Sequence, residues 1–138
     1  DQAGPLGAVT LICDSVLIGA GYYSPTLPDH LVAQGWGPIR FRAGVGYQAG
    51  PATRDTTAAW WIQYWRSVGW DAPNVIVNIG ANDSGICGTN LACARDRILA
   101  LVDFIGPGHR IWWPQITVDA PNSPRANTWN LALRQIAD

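Results

Sequence analysis

A serine follows a short apolar run near the start of the chain. Residues 8–13 have the length and β-branched content of a buried parallel strand, and residues 16–18 resemble the first turn of a helix. A serine between them lies at the carboxyl edge of a sheet, where open α/β sheets bind their ligands. Ser15 is therefore a candidate nucleophile. The alternative is that Asp14 and Ser15 only cap the helix.

Two later stretches carry further candidate residues. Gly44 and Gly46 follow a second strand-like run, and Gly80-Ala-Asn82-Asp83 follows a third. With the Asp-Ser pair, this order resembles blocks one to three of the SGNH (GDSL) hydrolase family over roughly residues 8–138. Cys13 stands where that family usually has a glycine, and the family's fourth block, Asp-x-x-His, is absent from the sequence.

The resemblance implies a serine esterase that needs no cofactor. Ser15 would be the nucleophile, and its own N–H, the N–H of Gly46 and the side-chain amide of Asn82 would form the oxyanion hole. Gly44 is the alternative to Gly46, and both glycines could instead serve only the geometry of the turn. These residue types suit that role, because glycine permits close approach to the backbone and asparagine supplies uncharged N–H donors. The residues expected to line the substrate pocket are Tyr22, Tyr23, Tyr47 and the loop 116–121.

A serine nucleophile requires a base, and neither histidine of this chain is well placed for that role. His109 precedes the fourth strand, so about six strand residues put it ~20 Å from the carboxyl edge. His30 lies in a short polar helix and is expected at the surface. We therefore expect a companion polypeptide segment that completes the fold with a fifth strand and supplies the Asp and His of the triad.

The chain alternates strand-like and helix-like segments. The predicted strands are 8–13, 38–42, 75–79 and 110–113, and the predicted helices are 28–34, 53–68, 91–105 and 123 onward. This βαβαβαβα order predicts a three-layer α/β/α fold with a parallel sheet, and the resemblance implies the flavodoxin-like SGNH hydrolase version with five strands. Thr53 or Asp55 is expected to cap the second helix, whose aromatic residues are expected in the core.

The composition limits the possible functions. The 138 residues suit one domain, 1–138, and the net charge of −1 without a basic patch argues against nucleic acid as a partner. The sequence has no run of about 18 apolar residues that would span a membrane. It also lacks methionine, so Asp1 indicates a processed or engineered N-terminus, as a cleaved secretory signal would leave.

Two of the three cysteines flank a short turn. Cys87 and Cys93 are close enough in sequence to form a disulfide, which favours a secreted, periplasmic or cell-envelope protein; the alternative is two reduced thiols. No second Cys or His pair has the spacing of metal ligands, so no metal site is expected. Cys13 is expected to be a small buried apolar residue.

Three functions are compatible with these residues. The first is hydrolysis of an acyl or acetyl ester of a carbohydrate or lipid. The second is a catalytically inactive binding or scaffold domain with the same fold, which would explain the missing histidine. The third is dinucleotide binding through Gly44, Gly46 and Gly50. The pattern fits this function poorly, because no acidic residue follows at the required distance.

Overall fold

A parallel sheet forms the centre of the molecule. The computed structural model describes residues 3–15, 21 and 25–137, and its four strands lie in the order β2-β1-β3-β4. The strands are β1 Gly7–Cys13, β2 Trp36–Ala43, β3 Asn74–Asn78 and β4 Arg110–Trp112. All three strand pairs are parallel. The predicted α/β class and parallel sheet are confirmed, and each strand lies within a few residues of its predicted position.

Five α-helices within the described residues accompany the strands. They are α1 Leu27–Ala33, α2 Ala58–Ser67, α3 Ala81–Cys87, α4 Leu91–Ile105 and α5 Ser123–Ala137. Val9 and Leu11 of β1 face α1, whereas the alternate residue Ile12 lies in the cluster formed with α2 and α4. This period-two alternation places helices on both faces of the sheet. Within the described residues, no helix is long and apolar enough to cross a membrane.

Helix α2 begins later than predicted. The sequence favoured residues 53–68 with Thr53 or Asp55 as the cap, whereas the observed cap is Thr57, whose hydroxyl accepts a hydrogen bond from the N–H of Trp60 at 3.1 Å. That buried hydroxyl also lies 2.8 Å from two carbonyl oxygens of the preceding loop. These loop contacts, which involve residues outside the helix, explain why the helix starts at the later threonine.

The aromatic residues of α2 are only partly in the core. Trp65 is buried as expected, but Tyr64 is 45% exposed and Val68 is 54% exposed. The rings of Trp60 and Tyr64 stack with centroids 5.5 Å apart. The buried face of the helix consists of Ala58, Ala59, Ile62 and Trp65. The aromatic residues of α2 therefore do not all lie on the face of the helix that packs on the sheet.

Helix α5 is covered better than expected. A chain without the fifth strand is expected to leave a helix face around Trp129 and Ile136 uncovered, and that expectation is wrong for Trp129, which is fully buried. Its ring packs edge-on against Trp113 at 6.0 Å, within a cluster that includes Ile98 of α4. Ile136 is half-buried against the same cluster. Helix α4, rather than an additional strand, provides the cover.

The predicted disulfide between Cys87 and Cys93 is confirmed. It joins the end of α3 to the first turn of α4, and Asn90 between them caps α4 by accepting a hydrogen bond from the N–H of Cys93 at 3.0 Å. Helix α3 carries Asn82 and Asp83, so the disulfide links the helix with these two residues covalently to α4.

Removing the disulfide should lower stability measurably. We expect the double substitution Cys87→Ser and Cys93→Ser to reduce the free energy of unfolding by about 2 kcal/mol, because closing so short a loop removes limited entropy from the unfolded chain. Urea denaturation of wild type and variant measures the difference. Identical unfolding midpoints, or free thiols at these positions in the wild-type protein, would contradict this expectation.

Candidate active site

The three residues predicted for catalysis follow three adjacent strands. Cys13 at the end of β1 pairs with Ala43 of β2 on one side and with Asn78 of β3 on the other. Ser15, Gly46 and Asn82 follow these strand ends within two to four residues. Because the carboxyl ends of parallel strands meet at one edge of a sheet, all three residues lie at the same edge.

Ser15 lies just beyond the central strand β1 and is exposed. The residues before it are held tightly: the N–H of Asp14 donates to the carbonyl oxygen of Asn78 at 3.1 Å, and the N–H of Gly44 donates to that of Cys13 at 3.2 Å. Within the described part of the chain, the Ser15 hydroxyl has no hydrogen-bond partner. A serine in this position can present its hydroxyl to a ligand from a firmly held strand end.

The two glycines after β2 serve different purposes. A side chain at position 44 would overlap the ring of Tyr47, so glycine is required there for the backbone to lie so close to that ring. Gly46 instead has a φ of +74° and open space beside its Cα, so its backbone conformation is the requirement. Gly46, unlike Gly44, therefore leaves open space beside its backbone.

Asn82 is fixed against the loop that carries Gly46. It lies in the first turn of α3, and its Nδ2 donates a hydrogen bond to the carbonyl oxygen of Tyr47 at 3.0 Å. The amide group has two N–H bonds, so one remains for another acceptor. The bond therefore places the candidate oxyanion donor Asn82 next to the residue that follows Gly46.

Asp83 makes a second connection to the same loop. Its carboxylate is fully buried and accepts hydrogen bonds from the N–H of Ala49 at 3.1 Å and from Nη1 of Arg97 at 2.9 Å. Burial raises the pKa of the Asp83 carboxyl, and the bonds from Arg97 and Ala49 oppose that rise. Neighbouring residues of α3 thus hold the loop at two points, Asn82 at Tyr47 and Asp83 at Ala49.

The turn before Asn82 requires a glycine for steric reasons. Gly80 has a φ of +155°, and a Cβ added there would lie 2.4 Å from Nε1 of Trp129. The loop after β4 lies beside this turn, since Ile116 also approaches Gly80. Asn130 of α5 holds that loop through two hydrogen bonds of 2.8 Å to the backbone N–H and carbonyl oxygen of Ile116.

Tyr47 occupies a different place from the one expected. Its side chain is only 5% exposed and belongs to the core between β1 and α2. Its hydroxyl accepts hydrogen bonds from Nε of Arg42 and Nε1 of Trp61, both at 3.0 Å. The structure gives the ring a supporting role beneath Gly44 instead of contact with substrate. The other two expected pocket residues, Tyr22 and Tyr23, lie outside the described residues.

Neither histidine directly follows the carboxyl end of a strand, where Ser15 lies. His109 precedes β4 at the amino edge of the sheet, where its Nε2 lies 2.9 Å from Oδ1 of Asp71. His30 is exposed on α1, the helix that leads to the amino end of β2. The expectation that neither acts as the base agrees with these positions.

Cys13 is buried at the end of β1, immediately before the candidate site. Burial, together with the adjacent carboxylate of Asp14, raises the pKa of the Cys13 thiol to about 12. The thiol therefore stays protonated at neutral pH and is a poor nucleophile and a poor metal ligand. Across residues 3–15, 21 and 25–137, no group of three or more His, Cys, Asp or Glu side chains is arranged to hold a metal ion.

No family model and no curated protein sequence matches the chain. Solved structures do match. The crystal structure of TesA superposes with a TM-score of 0.68 at 12% identity, covering 94% of this chain and 72% of TesA. The psychrotrophic esterase EstA from Pseudoalteromonas sp., in a structure inhibited by monoethylphosphonate, superposes with a TM-score of 0.64 at 16% identity, covering 94% of this chain and 71% of EstA.

The chain has the SGNH hydrolase fold. The similarity extends over 94% of the chain in both superpositions. The supporting residues Arg97 and Asn130 were missed from the sequence. Both lie on helices distant in sequence from the motifs they support, and no local pattern distinguishes them from ordinary polar helix residues.

Proposed function

We propose that this SGNH-fold chain is the nucleophile-bearing part of a serine esterase. The observation that carries the proposal is the convergence of Ser15, Gly46 and Asn82 beyond three adjacent strands, with Asn82 bonded to the residue after Gly46. The similarity to EstA, an esterase inhibited by a phosphonate, supports the same conclusion at the level of the fold. Turnover of a p-nitrophenyl ester by the native protein tests it directly.

The proposed reaction is acyl transfer to serine and then to water. Oγ of Ser15 attacks the ester carbonyl carbon while a base takes its proton, and the carbonyl oxygen becomes an oxyanion. The N–H groups of Ser15 and Gly46 and the amide of Asn82 donate hydrogen bonds to that oxyanion. The alcohol leaves with the proton, and water then releases the acid from the acyl-enzyme and restores the serine.

Asn82 should act mainly in the transition state. We expect Asn82→Ala to lower kcat by about 10²- to 10³-fold with little change in KM, because one oxyanion donor is worth roughly 3–4 kcal/mol. Steady-state kinetics with a p-nitrophenyl ester measure both constants. Asn90→Ala is a matched control, since Asn90 caps α4 without contacting the glycine loop. A change in KM alone would mean that Asn82 binds substrate in the ground state instead.

The base is proposed to come from a companion segment outside these 138 residues. The positions of His109 beside Asp71 and of His30 on α1 support this assignment. The competing function is a catalytically inactive binding or scaffold domain. The positions of His109 and His30 favour it if no companion segment supplies a base. Dinucleotide binding is disfavoured, because α2 begins eight residues after Gly50 and the glycines therefore do not open a helix.

The proposed location is outside the cytoplasm, in a secreted, periplasmic or cell-envelope protein. The disulfide between Cys87 and Cys93 supports this location, because disulfides persist in oxidising compartments. The proposed substrates are acyl or acetyl esters of carbohydrates or lipids.

A further inference from the structure

A groove of about 410 Å³ lies between α2, α4 and the loop that begins at Ala49. Its volume falls in the range of ~300–1,000 Å³ that small-molecule sites occupy. The groove exists because small residues face each other where the two helices meet, Ala59 on α2 and Ala100 on α4. Pro51 and Ala52 form the facing loop wall, and Leu101 and Phe104 extend the apolar surface along α4.

The charged groups of the groove are confined to one end. Asp96 and Arg97 line it there, and Arg97 is already paired with the fully buried carboxylate of Asp83. Because the two carboxyl groups of Asp83 and Asp96 outnumber the single positive charge of Arg97, this end does not favour an anionic ligand over a neutral one. The groove is therefore suited to an uncharged apolar ligand instead of a carboxylate or a phosphate.

Ala49 links the wall of the groove to the loop of the candidate site. This residue lines the groove, lies three positions after Gly46, and donates its N–H to Asp83, the neighbour of Asn82. From Arg97 to Phe104, α4 runs away from the carboxyl edge over about 10 Å, at ~1.5 Å per residue. An elongated ligand whose head lies at the carboxyl edge could thus extend along the apolar part of the groove.

We propose that this groove binds the alkyl chain of an acyl ester, so that the substrate is a lipid-type ester with a chain of medium length. The inference rests on the proposed esterase function and makes it more specific, since an acetyl group is too short to enter the groove. Each buried methylene group favours binding by about a factor of four. A chain that fills the groove should therefore be strongly preferred over acetate.

The first test compares two substrates in groove-filling variants. We expect the ratio of kcat/KM for p-nitrophenyl octanoate to that for p-nitrophenyl acetate to fall at least tenfold in Ala100→Trp, and likewise in Ala52→Phe on the opposite wall. Ala33→Trp, on the exposed end of α1 across the sheet, is the matched control and should leave both rates unchanged. An unchanged ratio in both folded groove variants would overturn the inference.

The second test separates the groove from the proposed chemistry. We expect the fluorescent apolar probe N-phenyl-1-naphthylamine to bind the wild-type protein and Ala33→Trp, and octan-1-ol to displace it from both. The probe should not bind Ala100→Trp. Binding without any ester hydrolysis would leave the groove as a ligand site and refute the esterase function alone. Equal probe binding in all three proteins would refute the groove, whatever the hydrolysis assay shows.

Discussion

Replacing Ser15 with alanine should abolish ester hydrolysis while leaving the fold intact. We expect kcat to fall about 10⁴- to 10⁶-fold, because loss of the serine of a triad removes the covalent route altogether. The fold should tolerate the change, since the Ser15 side chain is exposed and has no hydrogen-bond partner among the described residues. Circular dichroism and the unfolding midpoint check the fold, and single-turnover kinetics with a p-nitrophenyl ester check the chemistry.

The matched control for this substitution is Ser67→Ala. Ser67 ends α2, and its hydroxyl donates to the carbonyl oxygen of Tyr64 in the same helix, so its loss should leave turnover unchanged. Mass spectrometry after treatment with a phosphonate ester gives an independent readout, because the adduct should form on the wild-type protein and not on Ser15→Ala. Activity above a tenth of wild type in Ser15→Ala would remove this residue from the mechanism.

The second large effect concerns the base. We expect residues 1–138 alone to hydrolyse esters about 10⁴-fold more slowly than a native protein that includes the proposed companion segment, because a serine without its histidine loses most of its reactivity. The open side of β4 supports the position of that segment: within the described residues, β4 pairs only with β3, and its Trp112 is 39% exposed. A strand added there would cover an unpaired edge.

Intact mass of the native protein, followed by structure determination of the active form, tests this prediction. The companion segment should carry an Asp and a His three residues apart, with the histidine within ~2.6–3.2 Å of Oγ of Ser15. The double substitution His30→Ala and His109→Ala should leave turnover of the native protein unchanged. Loss of activity in that variant, or full activity of residues 1–138 alone, would contradict the proposed source of the base.

The sequence by itself determined the elements that depend on local patterns. The apolar run before Asp14 predicted β1, and Asn90 predicted the start of α4, because strand periodicity and helix capping involve residues close in sequence. The disulfide was also predictable, since the spacing of Cys87 and Cys93 allows only a small loop. The order of the serine, glycine and Gly-x-Asn-Asp segments then sufficed to predict the fold.

Only the tertiary structure decided the features that depend on contacts between distant residues. The hydroxyl of Thr57 bonds to the preceding loop and starts α2 there, although Thr53 and Asp55 fitted the local rule equally well. The side chain of Tyr47 lies in the core, where Arg42 and Trp61 donate hydrogen bonds to its hydroxyl. No spacing in the sequence encodes this geometry.

The same reason applies to the support of the candidate oxyanion residues. Asp83 reaches Ala49 and Arg97 across 34 and 14 residues of sequence, and Asn82 reaches the carbonyl oxygen of Tyr47 across 35. Residue types and their order could therefore predict the candidate groups for the chemistry. The partners that hold those groups in place were decided by the packing of α3, α4 and the glycine loop against one another, because hydrogen bonds over such separations depend on the whole fold.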